Sequence, residues 1–388
     1  MKKAFFGFLA SAFLMACQPA GPTLYHAATP AGDLTKSEAT AFSTDLSKEW
    51  KDSVKYALQD MYAKQSLTLD GKTMRIWWKT YGSKPSDGRS LYISLHGGGG
   101  TTASENDGQW NNQKQLYSPG EGIYLCPRAI SNTWDLHFLK ETDAFYKKII
   151  QMAVTFLDVN PNKVYLMGYS AGGDGVWRLA PRLADHWAAA SMMAGHPGDV
   201  SLVNLRNTPF MIWCGAEDSA YDRNIECQKR IDEMAALHEA DPEGYIFEGH
   251  IVEGKGHWMD LKDAAALPWM AQFKRNPFPK KVVWKQEEVR QPYFYWLGCP
   301  TSEMLRGKEV VASVSGNTIT LDKCDYSSLT LFLSDDLVNL DQPVKVVYGD
   351  KPLFEGTLVR KGAVQRKTLQ MRNDLAYACP ALLEIKIK

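Results

Sequence analysis

The strongest constraint on this chain is an alternation of short apolar runs with helical segments between about residue 70 and residue 275. Apolar runs of strand length occur at residues 72–80, 90–95, 122–126, 163–167, 187–193, 209–214 and 245–252. Apolar residues at helical spacing predict helices at 141–157 and 223–240, and a closing helix at 260–273. Strands that alternate with helices form a doubly wound, mostly parallel sheet. Residues 66–277 are therefore predicted to form one α/β domain.

The pattern changes after the Pro-Phe-Pro sequence at 277–279. Short β-rich runs separated by turn residues follow at 282–284, 309–314, 318–321, 330–333, 344–348 and 382–387. They predict a small all-β module at 280–388. Its dense apolar run at 293–297 is interpreted as a packing strand. The alternative is that this run binds a carbohydrate, with Tyr293, Tyr295 and Trp296 stacking on its sugar rings.

The N-terminus has the features of an export signal. Lys2 and Lys3 precede 13 apolar residues at 4–16, which at about 1.5 Å each are too short to cross a hydrocarbon core of roughly 30 Å. Residues 14–17, Leu-Met-Ala-Cys, resemble a bacterial lipobox, in which Cys17 is lipidated and begins the mature chain. Cleavage nearby by ordinary signal peptidase, which would discard Cys17, is the alternative. We expect residues 18–65 to be a tether followed by a helical segment.

Charge and composition limit the possible partners. The 44 basic residues equal the 44 acidic ones and form no basic run, which argues against nucleic acid. The 11% aromatic content argues against a disordered chain. We expect contact with a membrane only through the lipid at Cys17, on the periplasmic side or the cell surface, with the outer membrane favoured over the inner. The sequence indicates no oligomeric state.

A possible nucleophile follows the apolar run at 163–167. Residues 168–172 form the pattern G-x-S-x-G around Ser170, and a plausible helix begins directly after them. A sharp turn between a strand and a helix presents such a serine above the edge of a sheet. The alternative is a glycine turn that contains an incidental serine.

A serine hydroxyl needs a base, and the base needs a carboxylate to orient it. Asp218 follows the run at 209–214 and is the preferred acid, while Glu217 and Asp222 remain rivals. His257 lies in a glycine-flanked loop after the run at 245–252 and is the predicted base. The order serine, acid, histidine suits this topology.

The oxyanion formed during acyl transfer needs amide donors. The glycine-rich loop at 96–100 follows an early strand, so Gly97 and Gly98 are candidates, with the amide of Ala171 as the second donor. His96 is interpreted as a residue that braces this loop.

No motif in the sequence indicates a cofactor. The glycine loop lacks a following Lys-Ser/Thr pair, and Glu105 and Asp107 would repel a phosphate. No residues have the spacing of metal ligands, and there is no dinucleotide fingerprint, so we predict neither a metal nor a cofactor. Trp134 and Trp258 are predicted to flank the substrate pocket, and packing of loops is the alternative.

These motifs resemble those of the α/β-hydrolase superfamily, and within it the secreted polyhydroxybutyrate depolymerases and feruloyl or acetylxylan esterases. The resemblance covers about residues 70–275 and lies in segments 96–100, 168–173, 215–218 and 256–257. Three segments also resemble uncharacterised bacterial hydrolases with a β-rich C-terminal extension: 132–138, 220–224 and 256–260.

The resemblance and the residues together predict an exported serine carboxylesterase without a cofactor. Its substrate would be an ester in a polysaccharide, a polyester or a small extracellular molecule. Two alternatives remain: a peptidase of the prolyl oligopeptidase type, and a catalytically silent binding protein on the same fold.

Seven cysteines leave six once Cys17 carries the lipid. In an oxidising compartment we expect a disulfide between Cys214 and Cys227 and one pair within the module. Cys126 ends a buried strand and is expected to stay reduced. The module cysteines are Cys299, Cys324 and Cys379.

Overall fold

A computed structural model describes residues 24–387 of the 388-residue chain. The export signal predicted at 1–17, its lipobox cysteine Cys17 and the first tether residues at 18–23 lie outside the described residues.

The main sheet has eight strands in the spatial order β1-β2-β4-β3-β5-β6-β7-β8. β2 runs antiparallel to both of its neighbours, and the strands from β4 to β8 are mutually parallel. All residues of β4, β6 and β7 are buried, because helices cover both faces of a parallel sheet. The predicted fold class is confirmed. The strands are β1 Ser66–Leu69, β2 Lys72–Tyr81, β3 Arg89–Leu95, β4 Gly122–Pro127, β5 Val159–Tyr169, β6 Ala189–Met193, β7 Phe210–Gly215 and β8 Phe247–Val252.

Six helices accompany this sheet: α1 Lys36–Lys64, α2 Ala103–Leu116, α3 Thr142–Phe156, α4 Ala171–Arg182, α5 Arg223–Ala240 and α6 Ala266–Met270. A reciprocal capping box starts α1, since Thr35 accepts from the Glu38 amide and the Glu38 carboxylate accepts from the Thr35 amide. The buried face of α1 packs against α3 and joins the core of the main sheet. No helix within residues 24–387 is both long enough and apolar enough to cross a bilayer.

The predicted closing helix at 260–273 is wrong in its extent. Asp260 and Leu261 have φ angles of 54° and 62°, which an α-helix cannot contain. A 3₁₀ turn at Lys262–Ala265 follows, and α6 is only five residues long. Residues 260–261 therefore belong to the loop that carries His257.

The C-terminal region contains two further sheets, one of four strands and one of five. It also contains the helix α7 Gly362–Arg372, which the sequence did not predict, so the module is β-rich and not purely β. The strands are β9 Lys281–Lys285, β10 Tyr293–Phe294, β11 Leu297–Gly298, β12 Glu309–Ser315, β13 Thr318–Cys324, β14 Ser328–Leu333, β15 Val344–Tyr348, β16 Lys351–Gly356 and β17 Ala381–Lys386.

The single packing strand predicted at 293–297 is two short strands joined by a tight turn. Tyr295 takes a φ of 50° at the turn between β10 and β11. The side chains of Tyr295 and Trp296 are buried in the core of the C-terminal region, so neither can stack on a carbohydrate. Tyr293 is only partly buried.

The predicted disulfide between Cys214 and Cys227 is wrong, because both residues are buried thiols. The Cys227 thiol lies within hydrogen-bonding reach of Cys214 and also donates to the Gly195 carbonyl over 3.5 Å. Cys299 and Cys379 are likewise buried thiols, so neither takes part in the bridge predicted for the module. Cys126 is a buried thiol at the end of β4, and burial raises its pKa.

Candidate active site

Ser170 occupies the turn between β5 and α4. Its backbone has φ 59° and ψ −124°, a conformation that residues with a side chain rarely adopt. The turn requires a very close approach between α4 and β3, since a Cβ atom at Gly172 would overlap the carbonyl oxygen of Leu95. The glycine pattern therefore sets the position of the serine hydroxyl at the carboxyl edge of the sheet.

The structure brings Ser170, Asp218 and His257 together at this edge. Asp218 lies just after β7, and His257 lies in the loop after β8. The Ser170 Oγ and His257 Nε2 atoms are 2.9 Å apart, and His257 Nδ1 lies 2.7 Å from Asp218 Oδ2. With the carboxylate ionised, Nδ1–H donates to Asp218 and Nε2 is left to accept the serine proton.

Of the three possible acids, only Asp218 meets the histidine. Its side chain is 2% exposed, whereas Glu217 and Asp222 are exposed and make no bond to His257. The second oxygen of Asp218, Oδ1, lies 3.4 Å from Nη1 of the buried Arg223. No sequence motif indicates a role for Arg223, although it lies in the segment 220–224 that contributes to the family resemblance.

Tyr169 connects the serine turn to the histidine loop. Its hydroxyl donates to the carbonyl oxygen of His257 over 2.6 Å and accepts from the Met259 amide over 3.2 Å. Burial raises the pKa of this phenol, so it remains a donor at neutral pH. The sequence motifs do not indicate this role, and the only local signal for it is the position of Tyr169 directly before Ser170.

Two buried histidines support the glycine loop at 96–100. His96 Nδ1 donates to the Gly97 carbonyl over 2.6 Å, and Nε2 accepts from the Ala129 amide over 3.1 Å. The Nε2 atom of His137 lies 2.8 Å from the carbonyl oxygen of His96 and donates to it. Burial lowers the pKa of His96 to about 4 and the pKa of His137 well below its usual value. Both rings are therefore neutral braces, which agrees with the interpretation of His96.

Asn106 on α2 fixes the next part of the loop. Its Oδ1 atom accepts from the Gly99 amide over 2.9 Å, and this bond occupies that amide. A Cβ atom at Gly98 would overlap the same oxygen, and Gly98 has a φ of 103°. Gly97 approaches the serine most closely, because its Cβ position lies 3.3 Å from Ser170 Cβ. Gly97 and Gly98 remain the predicted oxyanion donors of this loop, with Ala171 at the start of α4.

A cavity of about 470 Å³ lies beside these residues. None of Ser170, Asp218 and His257 lines it, but Asp174, one turn along α4 from Ser170, and Arg223, which pairs with Asp218, do. A Cβ atom at Gly100 would lie 3.3 Å from the Trp134 ring. The rings of Trp134 and Tyr221 meet with their centroids 5.7 Å apart. The cavity thus has aromatic and charged walls: Trp134, Phe138, Asp174, Arg178, His196, Gly198, Tyr221 and Arg223.

Trp258 is placed differently from Trp134. Its side chain is about half exposed, its ring lies 5.8 Å from the ring of Tyr169, and it does not line this cavity. Among residues 24–387, no group of three or more His, Cys, Asp or Glu side chains could hold a metal ion.

The strand order, the antiparallel β2 and the serine turn after β5 define the architecture. The chain has the α/β-hydrolase fold. No protein-family model matches the chain, and no curated protein matches it significantly.

Several solved structures resemble part of the chain. The BES protein from Bacillus cereus is 11% identical with a TM-score of 0.40, over 54% of this chain and 92% of that one. A ferulic acid esterase is 16% identical with a TM-score of 0.37, over 53% and 96% of the two chains. Est1E from Butyrivibrio proteoclasticus is 14% identical with a TM-score of 0.34, over 53% and 95%. Likeness at this level supplies no argument about the activity of this chain.

Proposed function

We propose that this protein is an exported serine carboxylesterase that hydrolyses esters through an acyl-enzyme. The observation that carries the proposal is the continuous hydrogen-bonded line from Ser170 Oγ through the His257 ring to Asp218, with distances of 2.9 and 2.7 Å. A hydroxyl, an imidazole and a buried carboxylate in this order are the requirement for nucleophilic acyl transfer.

In the proposed mechanism, Ser170 Oγ attacks the ester carbonyl carbon while His257 Nε2 takes the serine proton. Asp218 stabilises the resulting imidazolium and keeps the ring in the required tautomer. Amide donors from Ala171 and from Gly97 or Gly98 stabilise the oxyanion, each worth about 3 kcal/mol in related systems. His257 then protonates the departing alcohol, and it activates the water that releases the acid.

The cavity beside Ser170 suggests where a substrate group binds. Trp134 and Tyr221 offer aromatic faces to an aromatic or sugar ring, and Arg178 and Arg223 offer donors to polar substituents. These aromatic and charged walls support a substrate with a ring next to the scissile ester bond. Such an ester could occur in a polysaccharide, a polyester or a small molecule. Trp258 lies outside this cavity and would contact only the part of a larger substrate that passes Tyr169.

Labelling with a fluorophosphonate, together with assays on p-nitrophenyl acyl esters and a proline peptide, tests the proposal. We expect wild type to be labelled and to hydrolyse the esters. The variant Ser170→Ala should lose labelling and fall on the order of 10⁴- to 10⁶-fold in kcat. The variant Ser191→Ala removes another serine hydroxyl and is the control. Cleavage of the proline peptide in preference to the esters would favour the peptidase, and an unlabelled, folded wild type would favour a binding protein.

We also propose that the mature chain begins with a lipidated Cys17, which would hold the enzyme at a bacterial membrane outside the cytoplasm. Labelling of cells with radioactive palmitate should mark wild type but not Cys17→Ser. Processing of Cys17→Ser to a soluble form that is as long as the wild-type protein would instead support ordinary signal peptidase cleavage.

A further inference from the structure

A second cavity, of about 400 Å³, lies at the opposite end of β5 and α4 from Ser170, since Pro161 near the start of β5 and Asp185 just after α4 line it. Its other walls come mainly from α1, α3 and the C-terminal region, and none of Ser170, Asp218 and His257 lines it. Trp50 and Tyr293 contribute aromatic surface, and Ile150 and Val154 contribute aliphatic surface. A volume of this size is typical of sites for small organic ligands.

The charged side chains that line this cavity do not balance. Four are cationic and two are anionic, which leaves an excess of two positive charges: Lys147, Lys148, Arg275 and Arg372 against Asp185 and Asp374. His186 also lines the cavity, but burial lowers its pKa to about 4, so it is neutral at physiological pH.

Both arginines in the cavity wall already have carboxylate partners. Arg275 pairs with Asp374 at 2.6 Å, and Arg372 pairs with Asp185 at 2.7 Å. These four side chains form closed ion pairs that join the main sheet region to the C-terminal region. The positive excess must therefore lie on the two lysines.

In the described part of the chain, the hydrogen-bond partners of Lys147 and Lys148 are neutral, and neither lysine forms an ion pair, although Asp185 and Asp143 attract the Lys147 charge from a greater distance. The Lys147 ammonium donates to Gln291 Oε1 over 3.2 Å, and the Lys148 ammonium donates to Gln151 Oε1 over 3.1 Å. Each ammonium has three donors, so each retains donors for another acceptor. Burial lowers the pKa of Lys147, and the charges of Asp185 and Asp143 only partly offset this effect.

We propose that this cavity binds a small organic carboxylate, whose charge is met by Lys147 and Lys148. The apolar and aromatic walls would contact the body of the ligand, and an inorganic anion would leave most of the 400 Å³ to water. The proposal does not depend on the activity of Ser170. A free organic acid and an acidic sugar both supply a carboxylate. The rest of the two molecules differs, so binding of one of each kind distinguishes these two possible sources of the ligand.

The test measures calorimetric binding of benzoate, D-glucuronate and inorganic phosphate to the full chain. We expect wild type to bind benzoate or glucuronate more tightly than phosphate, and the preferred carboxylate identifies the source. The variant Lys147→Met should weaken this binding roughly ten- to a hundredfold, since a charge-assisted bond is lost. Lys229→Met removes an exposed lysine from α5, outside the cavity, and should leave binding unchanged.

A second variant tests the proposal even if Lys147→Met does not fold. Ala144 is an exposed residue at the rim of the cavity, so Ala144→Trp fills the entrance and leaves both lysines in place. It should also abolish binding, whereas Trp134→Ala at the cavity beside Ser170 should preserve it. Absence of binding to wild type up to roughly 10 mM would overturn the proposal. So would binding that survives both cavity variants, or that is lost in Trp134→Ala.

Discussion

The hydroxyl of Tyr169 joins two parts of the candidate site that are far apart in sequence. It bonds the backbone on both sides of Trp258, at the carbonyl of His257 and the amide of Met259. The side chain of His257 is partly exposed, and the same loop is also held by the Glu217 amide, which donates to the Lys255 carbonyl over 2.9 Å. The phenol is therefore expected to set the position of the base relative to Ser170.

The variant Tyr169→Phe tests this role. It leaves the buried Met259 amide and the partly buried His257 carbonyl without this partner, which costs about 1–3 kcal/mol. If the loss of these bonds also displaces His257, kcat should fall roughly 3- to 30-fold with little change in KM. Steady-state kinetics and thermal unfolding provide the measurements.

Tyr165→Phe is the matched control, because the Tyr165 hydroxyl bonds the Phe273 carbonyl over 2.9 Å away from the triad. It should lower the melting temperature and leave kcat unchanged. Equal losses of kcat in the two variants would contradict a positioning role for Tyr169.

At the scale of elements, the site depends on how closely α4 approaches β3. Only a glycine fits at position 172, because a Cβ atom there would overlap the Leu95 carbonyl. The contact lies one residue before the glycine loop begins at His96. The distance between α4 and β3 therefore sets the distance between Ser170 and the predicted oxyanion donors.

We expect Gly172→Ala to push α4 away from β3 and to disrupt the serine turn. The overlap is with backbone atoms, so the variant should lose at least about 1–3 kcal/mol of stability, as overpacked cores do. It should also lose fluorophosphonate labelling. Denaturant unfolding and the labelling assay provide the measurements.

Gly108→Ala is the control for this substitution. Gly108 is exposed in the interior of α2, and its Cβ position has no atom within 4 Å. Alanine favours a helix over glycine, so this variant should gain about 0.5–1 kcal/mol. If Gly172→Ala is as stable and as readily labelled as Gly108→Ala, the close approach does not control the turn.

At the scale of the whole molecule, buried ion pairs join the main sheet region to the C-terminal region. The strongest case is Asp374 with Arg275, where Asp374 Oδ2 lies 2.6 Å from Nη1 of a fully buried guanidinium. Burial raises the pKa of Asp374, but the charge and hydrogen bonds of Arg275 outweigh it and hold this pKa at about 2, below its usual 3.8.

This pair predicts a pH dependence of stability. Because the folded pKa is lowered, the contribution of the carboxylate is fully present above pH 3.8 and is lost as the pH falls through about 2. Asp374→Asn should cost about 3–5 kcal/mol at pH 7, since it removes the carboxylate that pairs with the buried Arg275 guanidinium and leaves only neutral acceptors, Asn162 Oδ1 and the Asp185 carbonyl. The difference from wild type should shrink between pH 4 and pH 2, as measured by urea unfolding.

Asp33→Asn serves as the control, since Asp33 forms an exposed pair with Lys361 at 3.8 Å. This variant should change stability little at any pH, because exposed ion pairs contribute little. A constant difference between wild type and Asp374→Asn from pH 7 to pH 2 would contradict the assigned ion pair.

Much of the fold was predictable because its signals are local. The run at 163–167 and the glycines around Ser170 indicate a strand and a turn without any knowledge of distant residues. The prediction failed at Asp260 and Leu261, where helical spacing continues but both residues take positive φ angles in the loop that follows β8. It also failed at Cys214 and Cys227, since spacing does not show how two thiols are oriented.

The sequence alone determined the alternation of elements, the strained turn at Ser170 and the order of serine, acid and histidine. Only the tertiary structure decided which acid contacts His257, because the two adjacent carboxylates Glu217 and Asp218 point in different directions, the first into solvent and the second toward the histidine. It also decided that the Tyr169 hydroxyl bonds the histidine loop and that Lys147 forms no ion pair. These contacts join residues 39 to 90 positions apart in sequence, and the charge balance of the cavity depends on several elements, so no local pattern encodes them.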